Sequence, residues 1–334
     1  MAKDTDFLYV SARIKFLETK LLGRTVIERI LDANGPEEAL KVLCDTEYNN
    51  DIAEMDNIYD FEKVLEKSMA RTINTLKESF KNHELINFFT VKNDYHNLKV
   101  IVKENIMGSE YNEYFSRLGE VSPSELRKYV EGDLRAKVPD NLKKVYHKAI
   151  EMYDTTKDPQ QVDLVLDKAL FEDMAEIAER ANDKFLKEYL TALVDLTNIK
   201  TLVRLKKINA DLRTLDSVLL PGGNLTQEFF EENFAGSTQD LMEALSSSPY
   251  YEVVEEGLME WEASGSPSAF EKLLDNYLIS LARRGLYKPF GSETVIGYMA
   301  ARENELKILR ILLVGKINSI PSDMIRERLR DVYV

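Results

Sequence analysis

Cysteine is almost missing from this chain: Cys44 is the only one in 334 residues. A lone thiol excludes an internal disulfide framework and a cysteine-based zinc site, and it fits a reducing compartment. Histidine is scarce too. His83, His96 and His147 have no second histidine or cysteine at metal-ligand spacing, so no metal site is expected and each is read as a structural or surface imidazole. Positive charge is in deficit, with 44 basic against 58 acidic side chains and a net charge of −14. Binding to nucleic acid needs a basic surface, so that class is set aside. Long hydrophobic runs are missing as well. The longest stretch without a charge, Ser217 to Gln227, has 11 residues, against about 20 for a membrane-spanning helix. Met1 to Asp6 lack an apolar signal core, so secretion is not expected. Glycine (14) and proline (9) are few and sustained alternation of apolar and polar residues is absent, which removes β-rich and low-complexity architectures.

The motifs of small-molecule chemistry are missing in the same way. No phosphate-cradling Gly-Lys-Ser/Thr loop occurs, because Gly315-Lys316 is followed by Ile317, and neither a Gly-x-Gly-x-x-Gly nor a Gly-x-Ser-x-Gly element is present. Neighbouring carboxylates such as Glu231-Glu232 and Glu255-Glu256 point about 100° apart on a helix and do not form an acid/base pair. No constellation converges as a hydrolase or lyase requires, so no catalytic residue and no cofactor is expected.

What is present is helical periodicity. In Phe61 to Phe80 the apolar residues fall at Phe61, Val64, Leu65, Met69, Ile73, Leu76 and Phe80, three to four apart. Similar stripes run through Val162 to Leu190 and Ala269 to Leu286. Gly35-Pro36-Glu37-Glu38 and Ser122-Pro123-Ser124-Glu125 put proline at a helix start with carboxylates in the first turn. The chain is read as all-α.

It also repeats itself. Phe61 to Met69 resembles Val162 to Leu170, and both resemble Phe270 to Leu278. The first pair is offset by 101 residues, and at that offset Asp94 to Lys99 meets Asp195 to Lys200. Arg302 to Lys307 is a diverged third copy, and Leu43 to Tyr48 parallels Leu245 to Tyr250. Three related helical units follow: residues 1–109, 110–210 and 211–334. Asp94 with Asn97, and Asp195 with Asn198, share a helix face and are read as hydrogen-bonded pairs that fix helix packing within each unit. The third unit carries Arg302 and Glu305 instead. Trp261, between Glu260 and Glu262, suggests a partly exposed or interfacial place.

Charge is concentrated. Asp216 to Ile279 holds thirteen acidic residues against Lys272 alone, a sum of −12, while Ile199 to Arg213 sums to +4. Glu231, Glu232, Glu255 and Glu256 are the candidate contacts of an acidic face to a basic partner, where complementarity steers docking more than it adds affinity. Near the end, Ser292 reads as an N-cap, Glu303 and Lys307 as an i,i+4 pair, Gly315 as a helix end and Pro321-Ser322-Asp323 as the start of a short last helix.

The whole chain resembles a known family. Tyr9 to Lys15 with Glu18 and Leu21-Leu22, then Val194 to Lys200, then Pro289-Phe290-Gly291, Ile296-Gly297-Tyr298, Glu303, Glu305, Arg310, Gly315-Lys316 and Ile325 to Leu329 carry the likeness. In that order they are similar to the C subunit of archaeal and bacterial A/V-type rotary ATPases, the counterpart of the d subunit in the vacuolar enzyme. The resemblance implies a non-catalytic rotor part on the cytoplasmic face of the membrane. It implies a funnel of three helical units around a pseudo-threefold axis, with the central shaft and the ion-carrying membrane ring as partners. It also adds Glu303, Arg310, Lys316, Arg326 and Arg328 as candidate partner-binding residues. The competing expectation is a generic helical-repeat scaffold, an open solenoid with free ends.

Overall fold

A computed structural model describes residues 4–334; Met1 to Lys3, part of the segment read above for a signal, lie outside the described residues. No strand occurs among the described residues, and seventeen α-helices carry the chain. The first third holds α1 (Asp4–Glu18), α2 (Arg24–Asp32), α3 (Pro36–Leu43), α4 (Asn49–Ala53), α5 (Phe61–Ser79) and α6 (Glu84–Met107). The middle holds α7 (Pro123–Val130), α8 (Asp140–Thr156), α9 (Pro159–Ala181) and α10 (Lys184–Lys207). The last third holds α11 (Leu212–Val218), α12 (Gln227–Ala235), α13 (Thr238–Leu245), α14 (Tyr251–Ser264), α15 (Pro267–Ala282), α16 (Ser292–Ile317) and α17 (Ser322–Arg328).

Local chemistry sets these ends. Asp158 accepts a hydrogen bond from the Gln160 amide ahead of Pro159 in the first turn of α9, and Asn182 closes that helix at φ 50°. One residue on, Asp183 caps α10 through the Leu186 amide at 2.8 Å. Such a cap contributes roughly 1 kcal/mol, so the sharp α9–α10 corner is written locally.

Two kinds of long helix alternate. Helices α5, α9 and α15 are the amphipathic copies found by self-comparison, and each is followed by a helix apolar on nearly all sides: α6, α10 or α16. Nineteen of the 26 residues of α16 are buried, which places it inside the molecule rather than on its surface. Each apolar helix packs on the amphipathic helix of a different third: α6 on α9, α10 on α15, and α16 on α5. Helix α16 also touches α1, α3, α6 and α10, so one continuous apolar core runs from Phe7 to Tyr333.

Several local expectations change here. Trp261 is buried and stacks against Phe270 at 5.8 Å, because α14 lies along α15. Ser292 is already inside α16 and makes no cap; Gly291, at φ 126°, holds that position. Gly315 does not end α16, which continues to Ile317. Its missing side chain lets Ile325 of α17 seat against the helix, and Ser319 turns the chain at φ 53°.

Candidate functional site

The paired polar residues on the apolar helices bond not to each other but to loop backbone further along the chain. Asn97 grips the Ser116 peptide with both ends of its amide, accepting from Ser116 N and donating to Ser116 O, both at 2.8 Å. Asp94 takes the Val121 and Glu120 amides at 2.8 and 3.2 Å. At α10 the same clasp recurs: Asn198 grips the Leu220 peptide at 2.9 Å in both directions, and Asp195 accepts from Leu225 and Asn224 at 3.0 and 3.2 Å. Gly119 and Gly223 lie over the two aspartates so closely that a Cβ on either would overlap Oδ1. Each clasp therefore ties an apolar helix to a loop of the next third of the chain.

The third clasp joins the two ends of the chain. Glu305 on α16 accepts from the Leu22 amide at 2.5 Å, just before α2. Its other oxygen takes the Tyr48 hydroxyl at 2.8 Å, while Tyr250 donates to Asp195 at 3.0 Å, so the matched sequences ending at Tyr48 and Tyr250 place equivalent donors. Arg302, the largest fully buried side chain, replaces the aspartate. It pairs with Glu305 and Glu47 at 2.5 Å each and donates to Ser68 at 2.6 Å. Two lysines lock the helices that follow the second and third clasps. Lys206 donates to the Asn233, Phe234 and Gly236 carbonyls at the end of α12, and Lys316 to the Leu31 and Ala33 carbonyls at the end of α2. A cation there satisfies carbonyls that the helix itself leaves open.

Burial pushes the Asp94 carboxyl up to about 6, against the pull of the Val121 and Glu120 amides. Its native state thus holds a proton that the unfolded chain, at 3.8, releases earlier. Over that window the native state binds more protons, so this group makes stability fall as pH rises. Denaturation midpoints followed across the window are expected to carry a contribution of about 3 kcal/mol from this carboxyl. Asp94→Asn is expected to remove that slope, and an identical pH profile in the variant would refute the assignment.

Between α6, α9, α10, α15 and α16 lies a cavity of about 420 Å³. Phe88, Phe89, Phe171 and Tyr189 give it apolar walls, and the ion pairs Lys92–Glu303 and Lys307–Asp275, both 2.5 Å, lie on it. Glu303 and Lys307 are thus not an i,i+4 pair: each meets an opposite charge on a facing helix, α6 or α15. Most of the other tail residues also turn inward on the chain. Arg310 pairs with Glu62 at 2.9 Å and Arg326 with Glu28 at 2.5 Å, and Lys316 is buried. Four of the five tail residues, Arg328 being the exception, therefore bind the last third to the first. Arg328 is exposed and shares a surface cleft of about 490 Å³ with Glu256, Glu260 and Lys272.

Glu231 and Glu232 lie on α12 and Glu255 and Glu256 on α14; Glu231 accepts from Gln227 and Glu255 from Tyr251 within their own helices. The histidines sit against Lys77 O, Tyr114 O and Tyr129 Oη. Among the described residues no group of histidine, cysteine and carboxylate side chains is placed to hold a metal ion, and no helix is long and apolar enough to cross a membrane.

Leu22 falls in the family-like stretch, and Glu47 and Tyr48 fall in the parallel between Leu43 to Tyr48 and Leu245 to Tyr250, but nothing in the sequence shows what they, Gly119 or Gly223 contact. Gly119 and Gly223 lie 104 residues apart while their aspartates lie 101 apart. A loop three residues longer hides the match.

The model of the ATP synthase (C/AC39) subunit family matches residues 10–328. The chain belongs to this family. Members of similar sequence include the C subunit of the V-type sodium ATPase of Enterococcus hirae, 24% identical over 96% of this chain and 97% of that protein. The C subunit of the A-type ATP synthase of Methanocaldococcus jannaschii is 26% identical over 97% and 86%. That of the V-type ATP synthase of Thermus thermophilus is 23% identical over 96% and 98%. As a member of this family the chain is part of a V/A-type rotary ATPase, not itself an enzyme, and other subunits of that complex are its partners.

Proposed function

We propose that the chain is the adaptor of the central rotor, joining the shaft to the ion-carrying membrane ring and passing torque between ATP turnover and ion translocation. It sits peripherally, on the cytoplasmic face, with its three units (1–109, 110–210 and 211–334) arranged as a funnel around a pseudo-threefold axis. The observation that carries this reading is closure: the clasp on α16 is completed by Leu22, 283 residues away, where an open scaffold has free ends. A torque adaptor needs stiffness distributed around an axis, and three clasps with buried acceptors supply it. The cavity between the apolar helices is the seat for the foot of the shaft.

In the assembled complex, a covalent cross-link between this chain and a shaft subunit is expected to leave ion-coupled ATP turnover unchanged. A cross-link to a stator subunit is expected to stop it. Arrest by the shaft cross-link would overturn the rotor assignment. Glu231, Glu232, Glu255 and Glu256 form part of the acidic face that steers a basic partner into place. Replacing all four by glutamine is expected to slow association roughly tenfold at low ionic strength and to flatten its salt dependence; association that is as fast and as salt-sensitive as before would exclude that role. Glu303, Arg310, Lys316 and Arg326 support the function from within, by holding the seam between the last third and the first, while Arg328 stays on the surface as a candidate partner contact.

A further inference from the structure

Helices α13 and α14 lie side by side on the last third and leave a groove of about 520 Å³ between them. Its floor is apolar: Leu258 is buried, Met242 half-buried, and Met259 is 59% exposed. Methionine on an open surface adapts to a partner's side chains without one fixed shape. Its rim is of one sign. Glu243, Glu255 and Glu262 line it, no basic residue does, and the surrounding stretch from Asp216 to Ile279 sums to −12. None of the three rim carboxylates has an ion-pair partner within the described residues. By contrast, Asp275 on α15 is met by both Lys307 and Arg330.

We infer that this groove docks a basic amphipathic helix of another subunit of the complex. A groove with an apolar floor accepts a helix through anchors spaced i, i+3 or i+4, and i+7. The three rim carboxylates select lysine and arginine beside those anchors and repel an acidic helix. The inference rests on the chain's place in the rotary complex, but it concerns an outer surface and not the central cavity.

The test places a photo-crosslinking amino acid at position 259 in the full chain, assembled in the native complex, with a second variant carrying it at Phe171 in the cavity wall. The groove is expected to yield one adduct whose mapped peptide is helical, rich in lysine and arginine on one side and apolar on the other. Glu243→Gln with Glu262→Gln is expected to cut that adduct several-fold and leave the Phe171 adduct intact. An adduct at Phe171 to a shaft subunit with none at 259, or an adduct at 259 to an acidic or non-helical segment, overturns the groove assignment and leaves the rotor reading standing. An adduct at 259 with none to the shaft from Phe171 does the reverse.

Discussion

Arg302→Ala is expected to destabilise the chain by about 3–5 kcal/mol, the cost of leaving buried carboxylates without their cation. Burial pushes the Glu305 carboxyl up while Arg302 holds it down, so removing the guanidinium strips Glu305 of its largest stabilising neighbour. Ser68 and Glu47 lose their partner in the same step. The loss falls on the seam where the last helix meets Leu22 and Tyr48, so it weakens the contact between the chain's two ends before it weakens either alone. Urea denaturation with separate probes on the first and last thirds measures both the size and the place of the loss. An Arg302→Met, Glu305→Leu double variant is expected to recover part of it, since a buried pair replaced together by apolar groups costs far less than one left half-broken. A shift in the single variant no larger than that of an exposed ion pair, below about 1 kcal/mol, would mean that water reaches the seam and the network does not hold it.

Gly223→Val is expected to cost at least about 1–3 kcal/mol, because the added carbons must force the clasp open. The atoms in the way are the Asp195 carboxylate and the Val194 side chain, both fixed on a buried helix, so neither yields easily. Gly119→Val at Asp94 is expected to behave alike. Hydrogen exchange gives the specific readout: the amides of Asn224 and Leu225, or of Glu120 and Val121, should lose protection while the interior of α10 or α6 keeps it. Gly23→Ser serves as the contrast. Gly23 stands at the N-cap of α2 with extended backbone, no side-chain cap and open space around it, where Ser122 and Thr226 cap α7 and α12. That change is expected to be neutral or slightly stabilising. Equal losses at Gly23 and Gly223 would show that close approach to the aspartate is not the reason for glycine.

The two sets of expectations divide along what a sequence displays. Periodicity of three to four residues showed the helices, because a helix buries one stripe and the stripe is written in the residue order. The constant offset of 101 residues showed that Asp94–Asn97 and Asp195–Asn198 play one part twice. Scarcity of cysteine, histidine and glycine-rich loops pointed away from catalysis and toward assembly, and the ordered tail from Pro289 to Leu329 carried the family resemblance that the family match supports. The role of the pairs was less legible. They clasp loops through backbone amides, and a backbone amide has no signature in the sequence.

The tail residues show the limit most clearly. Glu303, Arg310, Lys316 and Arg326 stand out as a charged motif, and a charged motif reads equally as a surface for a partner. Only the folded chain shows that Lys92, Glu62, the α2 carbonyls and Glu28 take them up. The sequence by itself determined the helices, the recurrence of the Asp-x-x-Asn pair and the family, since each is fixed by local spacing or by order along the chain. The tertiary structure alone decided that the last third of the chain closes on the first and that Arg302 sits buried at that seam. Those contacts join residues more than 200 positions apart, and their energy comes from burial and geometry that no spacing rule encodes.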